Sequence, residues 1–382
     1  MRNLHDLKSK RMQLIQLVLK GFKSIQQDQV IDFGDVTVLL GPNGAGKSNL
    51  VSFLKMLNFI SREELQIFIG KQGGADALLY YGSKQTDAIE FCLVLRQESE
   101  IPSISIYNVS LAHGMPDKLF FFREQVTHKK TGEKAEQKYF LDNGNSESGL
   151  FKDRRTTSKI LLSALGSIQT YQFHDTSDTA RIRANGYVDD SRYLRSDAGN
   201  LAAFLKMMKT NPKNKRYYER IIRHIQNVMP QFGDFDLETV AENDLYVRLN
   251  WKDISNDFLL GPHQISDGSL RFMALASLLL QPPAMLPETI VLDEPELGLH
   301  PAAIAELAGM IRTASKNARI VIATQSTRLV DEFNADEIVV VERDEISNCS
   351  VFKRLNETEL GDWLSRYSLS ELWEKNVLGG LP

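Results

Sequence analysis

Cysteine is scarce in this 382-residue chain, where Cys92 and Cys349 are the only two and lie far apart. That spacing excludes a disulfide framework and a cysteine-based zinc site. Long apolar runs are missing as well. The longest are strand-sized, whereas a membrane helix needs about 20 apolar residues, so no membrane association is expected. Charge of one sign does not dominate. Lys and Arg total 45 against 49 for Asp and Glu, a net charge of −4. General polyanion binding is thereby excluded, and any nucleic-acid contact has to come from a local basic patch. No internal repeat or low-complexity tract stands out. The polar start "MRNLHDLKSKR" has no apolar segment behind it, which predicts a cytoplasmic protein.

What is present has the composition of a globular protein, with 42% hydrophobic and 25% charged residues. The length suits two domains, or one large α/β domain with an insertion. Strand patterns at "MQLIQLVLK", "QVIDF" and "VTVLL" lead into "GPNGAGKSN", and an apolar-periodic helix follows. Residues 87–141 read as β-rich, with "THKKTGEKA" as an exposed hairpin tip. A more helical stretch holds "GNLAAFLKMMK" and "KRYYERIIRHIQNVM", and "DLYVRLNW" reads as a strand. The end alternates strand and helix: "ETIVLDE", "AAIAELAGMIRTAS", "ARIVIATQ", "RLVDEF", "EIVVVER", "SVFKRL" and a last helix "LGDWLSRYSLSELWEKN". Continuous apolar runs at 290–292, 320–323 and 338–341 suit strands buried on both faces of a sheet. The expected division is a first part of the main domain (1–86), a β-rich then helical insertion (87–245), and the rest of the main domain (246–382).

"GPNGAGKS" matches G-x-x-x-x-G-K-[ST] between a strand and a helix, which is the context this phosphate-binding motif needs. Gly41, Pro42, Asn43, Gly44, Ala45 and Gly46 form a loop whose backbone N–H groups can turn toward phosphate, with Asn49 just beyond. Lys47 is placed to neutralise the β- and γ-phosphates of ATP, and Ser48 to hold Mg²⁺. "TIVLDEPELGLHP" supplies the acidic half. Asp293 at the strand end is a Mg²⁺ ligand candidate, and Glu294 beside it is placed to polarise an attacking water. Glu296 reads as structural or capping. Ligand sites of parallel sheets lie beyond the carboxyl ends of the strands, so Lys47, Asp293, Glu294 and Gln325 are expected at one edge. "ISDGSLRF" starts a helix in which Ser266 serves as an N-cap.

Together, "LVLKGFKSI…VTVLLGPNGAGKSNL", "ISDGSLRF", "VLDEPELGLHP" and "ATQST" resemble the ATP-binding-cassette ATPases of the RecF, chromosome-maintenance and overcoming-lysogenization-defect group. "YLRSDAGNLAAFL" and "LWEKNVLGG" narrow the resemblance to stand-alone bacterial ATPases. It implies an α/β ABC-type P-loop ATPase head with a mixed sheet, plus the inserted β-rich then helical subdomain. It also implies a head-to-head homodimer, or a higher oligomer, in which Ser266 and Gly268 of one copy reach the γ-phosphate held by the other. The cap and the trans contact use the same residues and do not exclude one another.

Gln325 stands where many relatives carry a γ-phosphate-sensing His. An amide donates a hydrogen bond but has no titratable proton, which predicts slow hydrolysis. His300 in "GLHP" reads as structural. For the glutamine that couples the sheet to the neighbouring lobe, Gln72 is favoured, with Gln66 and Gln85 behind it. Lys23 in "GFKSI" matches a nucleotide-touching position, and equally an exposed turn lysine. Basic clusters at 206–224, at "THKKTGEKAEQK" and at "KDRR" admit DNA or RNA contact as well as simple solvated faces. The resemblance favours the sensor or scaffold subunit of a phage-defence or toxin-like system with a separate nuclease effector. RecF-like DNA maintenance and a nucleotide-gated scaffold with little hydrolysis are the alternatives.

Overall fold

The computed structural model describes residues 12–98, 101–133, 135–240, 243–255 and 258–379. The polar start read above for localisation and Lys134 of the expected hairpin tip lie outside the described residues.

Two six-stranded sheets organise the molecule. The main sheet has the order β18-β17-β3-β16-β15-β8. Its strands are β3 (Val36–Leu40), β8 (Ile168–Tyr171), β15 (Thr289–Asp293), β16 (Arg319–Thr324), β17 (Ile338–Arg343) and β18 (Ser350–Arg354). All pairings are parallel except that of β18 with β17. The second sheet is antiparallel throughout, in the order β2-β1-β4-β5-β6-β7. It comprises β1 (Met12–Lys20), β2 (Gln29–Asp32), β4 (Ala88–Gln97), β5 (Ser103–Gly114), β6 (Lys118–Lys130) and β7 (Gln137–Phe140).

Each central strand feeds two cores, which is why its sequence is apolar without alternation. Val36, Val38 and Leu40 of β3, with Ile320 and Ile322 of β16, face helices Leu201–Thr210, Lys215–Val228, Asp267–Leu279 and Pro301–Ser315. Leu39, Val321 and Ala323 face the other way, onto helix Lys47–Ile60. That helix is sandwiched between the main sheet and the antiparallel sheet, where Phe53 meets Phe91 edge-on at 5.2 Å. Arg319, buried at the start of β16, ties the two sheets together. Its guanidinium donates to Phe33 O at 2.5 Å and Gln13 Oε1 at 3.0 Å.

The stretch 87–245 carries strands β4 to β7 and then helices Thr156–Gly166, Leu201–Thr210 and Lys215–Val228, and it is woven into both sheets. β4 pairs with β1, and β8 completes the edge of the main sheet beside β15. "DLYVRLNW" is two strands, β12 (Asn243–Val247) and β13 (Asn250–Asp253). A tight turn in which Asn250 N–H donates to Arg248 O separates them. β12 joins β9 (Gly186–Tyr187) and β11 (Thr239–Val240), while β13 joins β10 (Phe232–Asp236) and β14 (Leu259–Leu260). The closing helix is also two, Glu357–Leu364 and Leu369–Glu374. Ser368 and Glu371 form a capping box that starts the second one afresh. "RLVDEF" contributes only the four-residue helix Thr327–Val330. Among the described residues no helix is long and apolar enough to cross a membrane.

Candidate functional site

β3, β16 and β15 end side by side. Leu40 pairs with Thr324, and Asp293 pairs with Ala323, so the phosphate loop, Gln325 and the acidic pair leave the sheet at one edge. The loop is braced from beneath. Gly46 has φ +120°, and a Cβ there would lie 2.1 Å from Ser350 Oγ, so a larger residue would displace the brace. Ser350 Oγ donates to Ala45 O at 2.5 Å and lies 2.6 Å from Ser24 Oγ, which accepts from Asn49 Nδ2 at 2.6 Å. Arg343 Nε donates to Gly44 O at 2.9 Å from the other side. Asn43, Gly44 and Ser48 are exposed, and a Cβ on Gly44 would meet nothing within 4 Å.

Lys47 is buried at the helix start. Its Nζ donates to Gly41 O at 2.6 Å and Pro42 O at 2.9 Å, folded back over its own loop. Burial pulls its ammonium below the ordinary value, against the attraction of Glu294, Asp293 and Glu296. Asp293 is 9% exposed, and its Oδ2 accepts from Gln172 Nε2 at 2.7 Å. Its main-chain oxygen lies 2.8 Å from His174 Nε2. Glu294 has φ +43°, and its N–H donates to Ala323 O at 2.8 Å. Glu296 is buried, accepts a hydrogen bond from Thr324 Oγ1, and has its carboxyl pKa raised by that burial. Gln325 is exposed. An open, glycine-lined loop with a basic side chain opposite a carboxylate pair fits a polyphosphate carrying a divalent cation.

Residues 36–331 match the family model described as "AAA domain, putative AbiEii toxin, Type IV TA system". The chain belongs to this family. The matched stretch contains both the Gly41–Ser48 phosphate loop and the Asp293–Glu294 pair, the two nucleotide motifs of a P-loop ATPase domain. Curated relatives are energy-coupling factor transporter ATP-binding proteins EcfA2. The one from Ligilactobacillus salivarius is 26% identical over 195 residues, covering 50% of this chain and 64% of the relative. That from Streptococcus agalactiae is 27% identical over 173 residues, covering 44% and 56%. The match thus spans less than two thirds of these relatives' length. Among solved structures, the SmcHead bound to the C-winged helix domain of ScpA superposes with a TM-score of 0.52 at 17% identity. It covers 91% of this chain and 99% of that one. The Smc head bound to the C-terminal domain of ScpA from Pyrococcus furiosus gives 0.53 at 17% identity, over 93% and 99%.

In this member of the family, Ser266 is exposed and caps helix Asp267–Leu279, its Oγ accepting from Ser269 N–H at 3.2 Å. Buried Arg183 fixes the turn from behind. It donates to Asp267 Oδ1 at 2.7 Å and Ile265 O at 3.1 Å, and holds the Asp267 carboxyl below its ordinary pKa. Gly268 packs against the loop after the acidic strand, where a Cβ would lie 2.4 Å from Gly298 O. Among the described residues no hydrogen bond or ion pair joins Ser266 or Gly268 to the phosphate loop of the same chain.

Lys23 and Gln72, singled out separately in the sequence, meet each other. Lys23 Nζ donates to Gln72 Oε1 and to Ser52 Oγ, both at 2.9 Å, and burial lowers its pKa. Ser52 lies on the helix that opens at Lys47, one turn beyond Ser48 on the same face. Gln66 is tied to Leu119 O and Ser146 O, at 3.0 and 2.8 Å. The glutamine that touches Asp293 is instead Gln172, just past β8, where the chain leaves the main sheet for the helical lobe. Sequence reasoning missed it, along with His174 and the braces Ser24, Ser350 and Arg343. The available signal was the short strand-like run "IQTYQ", whose pairing with β15 only the fold reveals.

Proposed function

We propose that this ATPase binds Mg-ATP at the Gly41–Ser48 loop, hydrolyses it, and pairs head to head with a second copy while ATP is bound. The observation that carries this reading is the shared edge of β3, β15 and β16, which sets Lys47 within the field of Asp293 and Glu294. Lys47 exchanges the two loop carbonyls for phosphate oxygens when nucleotide enters. Ser48 and Asp293 would hold Mg²⁺, which would supply charge neutralisation to the phosphates. Gln172 steadies the Asp293 carboxylate and takes the sheet-to-lobe coupling role assigned by sequence to Gln72. Glu294 orients the attacking water, and catalysis is mainly electrostatic. Ser266 and Gly268 present a hydroxyl and a helix-start N–H to the nucleotide of the partner copy.

In the cell we assign it the sensor or scaffold role in a toxin-like or phage-defence system, with a separate effector such as a nuclease. The family's description as a toxin component supports this over RecF-like DNA maintenance. Exposed Gln325, with no imidazole to sense the γ-phosphate, favours a second reading in which turnover is slow and ATP acts chiefly as a gate. ATP that binds mainly the closed pair stabilises pairing by mass action. The test is mass measurement of wild type and Glu294→Gln with and without saturating ATP. The variant is expected as an ATP-dependent dimer that persists because the nucleotide is not cleaved. A variant that stays monomeric with ATP bound sinks the paired model.

A further inference from the structure

The connection between the main sheet and the helical lobe carries an imidazole that none of the nucleotide motifs accounts for. His174 Nε2 lies 2.8 Å from Asp293 O. A carbonyl oxygen only accepts, so this nitrogen carries the hydrogen and donates. The N–H of the same peptide unit, that of Glu294, donates to Ala323 O at 2.8 Å. The Asp293–Glu294 peptide is therefore gripped from both sides. Glu294, which follows this peptide, has φ +43°, a left-handed backbone that a non-glycine residue adopts only when its surroundings impose it.

His174 is itself fixed. Arg271, one turn into the helix that Ser266 caps, donates through Nη2 to His174 O at 2.8 Å and through Nε to Phe173 O at 3.0 Å. His174, Arg271, Asp293 and Glu294 also line one small cavity of about 10 Å³, at the lower limit of the space a single water needs.

We infer that His174 is a positioning residue for ATP hydrolysis, whose Nε2–H fixes the Asp293–Glu294 peptide and so aims the Glu294 carboxylate. This rests on the reading of Glu294 as the residue that orients water. The role needs a donor and not a titrating group. Neutral and protonated imidazole both present Nε2–H, and a glutamine amide of similar reach presents an N–H as well.

The test compares wild type, His174→Ala and His174→Gln in steady-state turnover, fluorescent-ATP binding and thermal melting. His174→Ala is expected to lower kcat by about 10- to 100-fold, the range for losing an orienting partner, with nucleotide affinity unchanged. His174→Gln is expected to recover most of the rate and to keep the wild-type pH profile between about pH 6 and 8. A folded His174→Ala with wild-type turnover overturns the inference, and so does a Gln variant as slow as the Ala variant. A pH limb lost only in the Gln variant assigns acid–base work instead and overturns it too. If His174→Ala does not fold, His174→Gln decides alone: near-wild-type kcat supports the positioning role, and a folded Gln variant that is slow overturns it. Absence of turnover in wild type removes the hydrolysis reading itself, an outcome distinct from an active wild type indifferent to His174.

Discussion

Glu124 sits in the middle of β6 with no exposed surface. Tyr107 Oη, Ser148 Oγ (2.5 Å) and Gly149 N–H (2.7 Å) all donate to its carboxylate. Burial nevertheless wins over these bonds, and the carboxyl pKa is raised. The sign follows from linkage. A carboxyl that holds its proton more tightly when folded contributes stability below the unfolded value of about 4.3, lost as pH rises through the folded value. The contribution of Glu124 to stability should therefore fall as pH rises across that window, whatever the other carboxyls add. Glu124→Gln removes the titration, and its amide can set oxygen toward Gly149 N–H and NH₂ toward the two hydroxyl oxygens. Urea unfolding at several pH values should show the stability of Glu124→Gln rising relative to wild type as pH increases across the window, and a pH-independent difference counts against a Glu124 contribution. Nothing in the sequence "FFFREQVTHKK" marks this glutamate as buried, because its partners come from two other segments.

At the scale of elements, the start of helix Asp267–Leu279 depends on a close approach. A Cβ at Gly268 would stand 2.4 Å from Gly298 O, a backbone atom that cannot swing away. Gly268→Ala should force the helix and the loop after the acidic strand apart, at about 1–3 kcal/mol, the usual cost of overpacking. Chemical denaturation measures this directly, and an unchanged midpoint would show that the two segments part freely. The glycine read from sequence as a phosphate contact thus has a packing duty as well. The strand–loop–helix of the phosphate site was legible because "VTVLL", the glycines and the amphipathic helix are contiguous in the chain. The acidic strand was legible for the same reason. Gln172 was not, because a four-residue strand at a sheet edge has too short a period to announce itself. The closing helix was read as one because its apolar residues keep helical spacing across the break, while Gly361 and the Ser368 cap interrupt the backbone.

For the whole molecule, the decisive question is whether the site is complete within one chain. The phosphate loop, Asp293, Glu294 and Gln325 share one sheet edge, whereas Ser266 is exposed and bonds only within its own turn. Ser266→Arg separates a local role from one that reaches a second copy. The substitution removes a cap worth about 1 kcal/mol. The helix behind it has nine of its thirteen residues buried, so the fold should survive with a small drop in melting temperature. ATP binding by the isolated chain should persist, because the loop that holds it makes no bond to Ser266. Pairing should not persist if the proposed head-to-head arrangement holds, since a bulky cation would replace the small hydroxyl assigned there to the partner's nucleotide. Combining Ser266→Arg with Glu294→Gln gives the clean measurement, with hydrolysis blocked and ATP saturating. Mass measurement should then find a monomer with nucleotide bound. A double variant that pairs as fully as Glu294→Gln alone would confine Ser266 to its capping role and place the dimer contact elsewhere on the head.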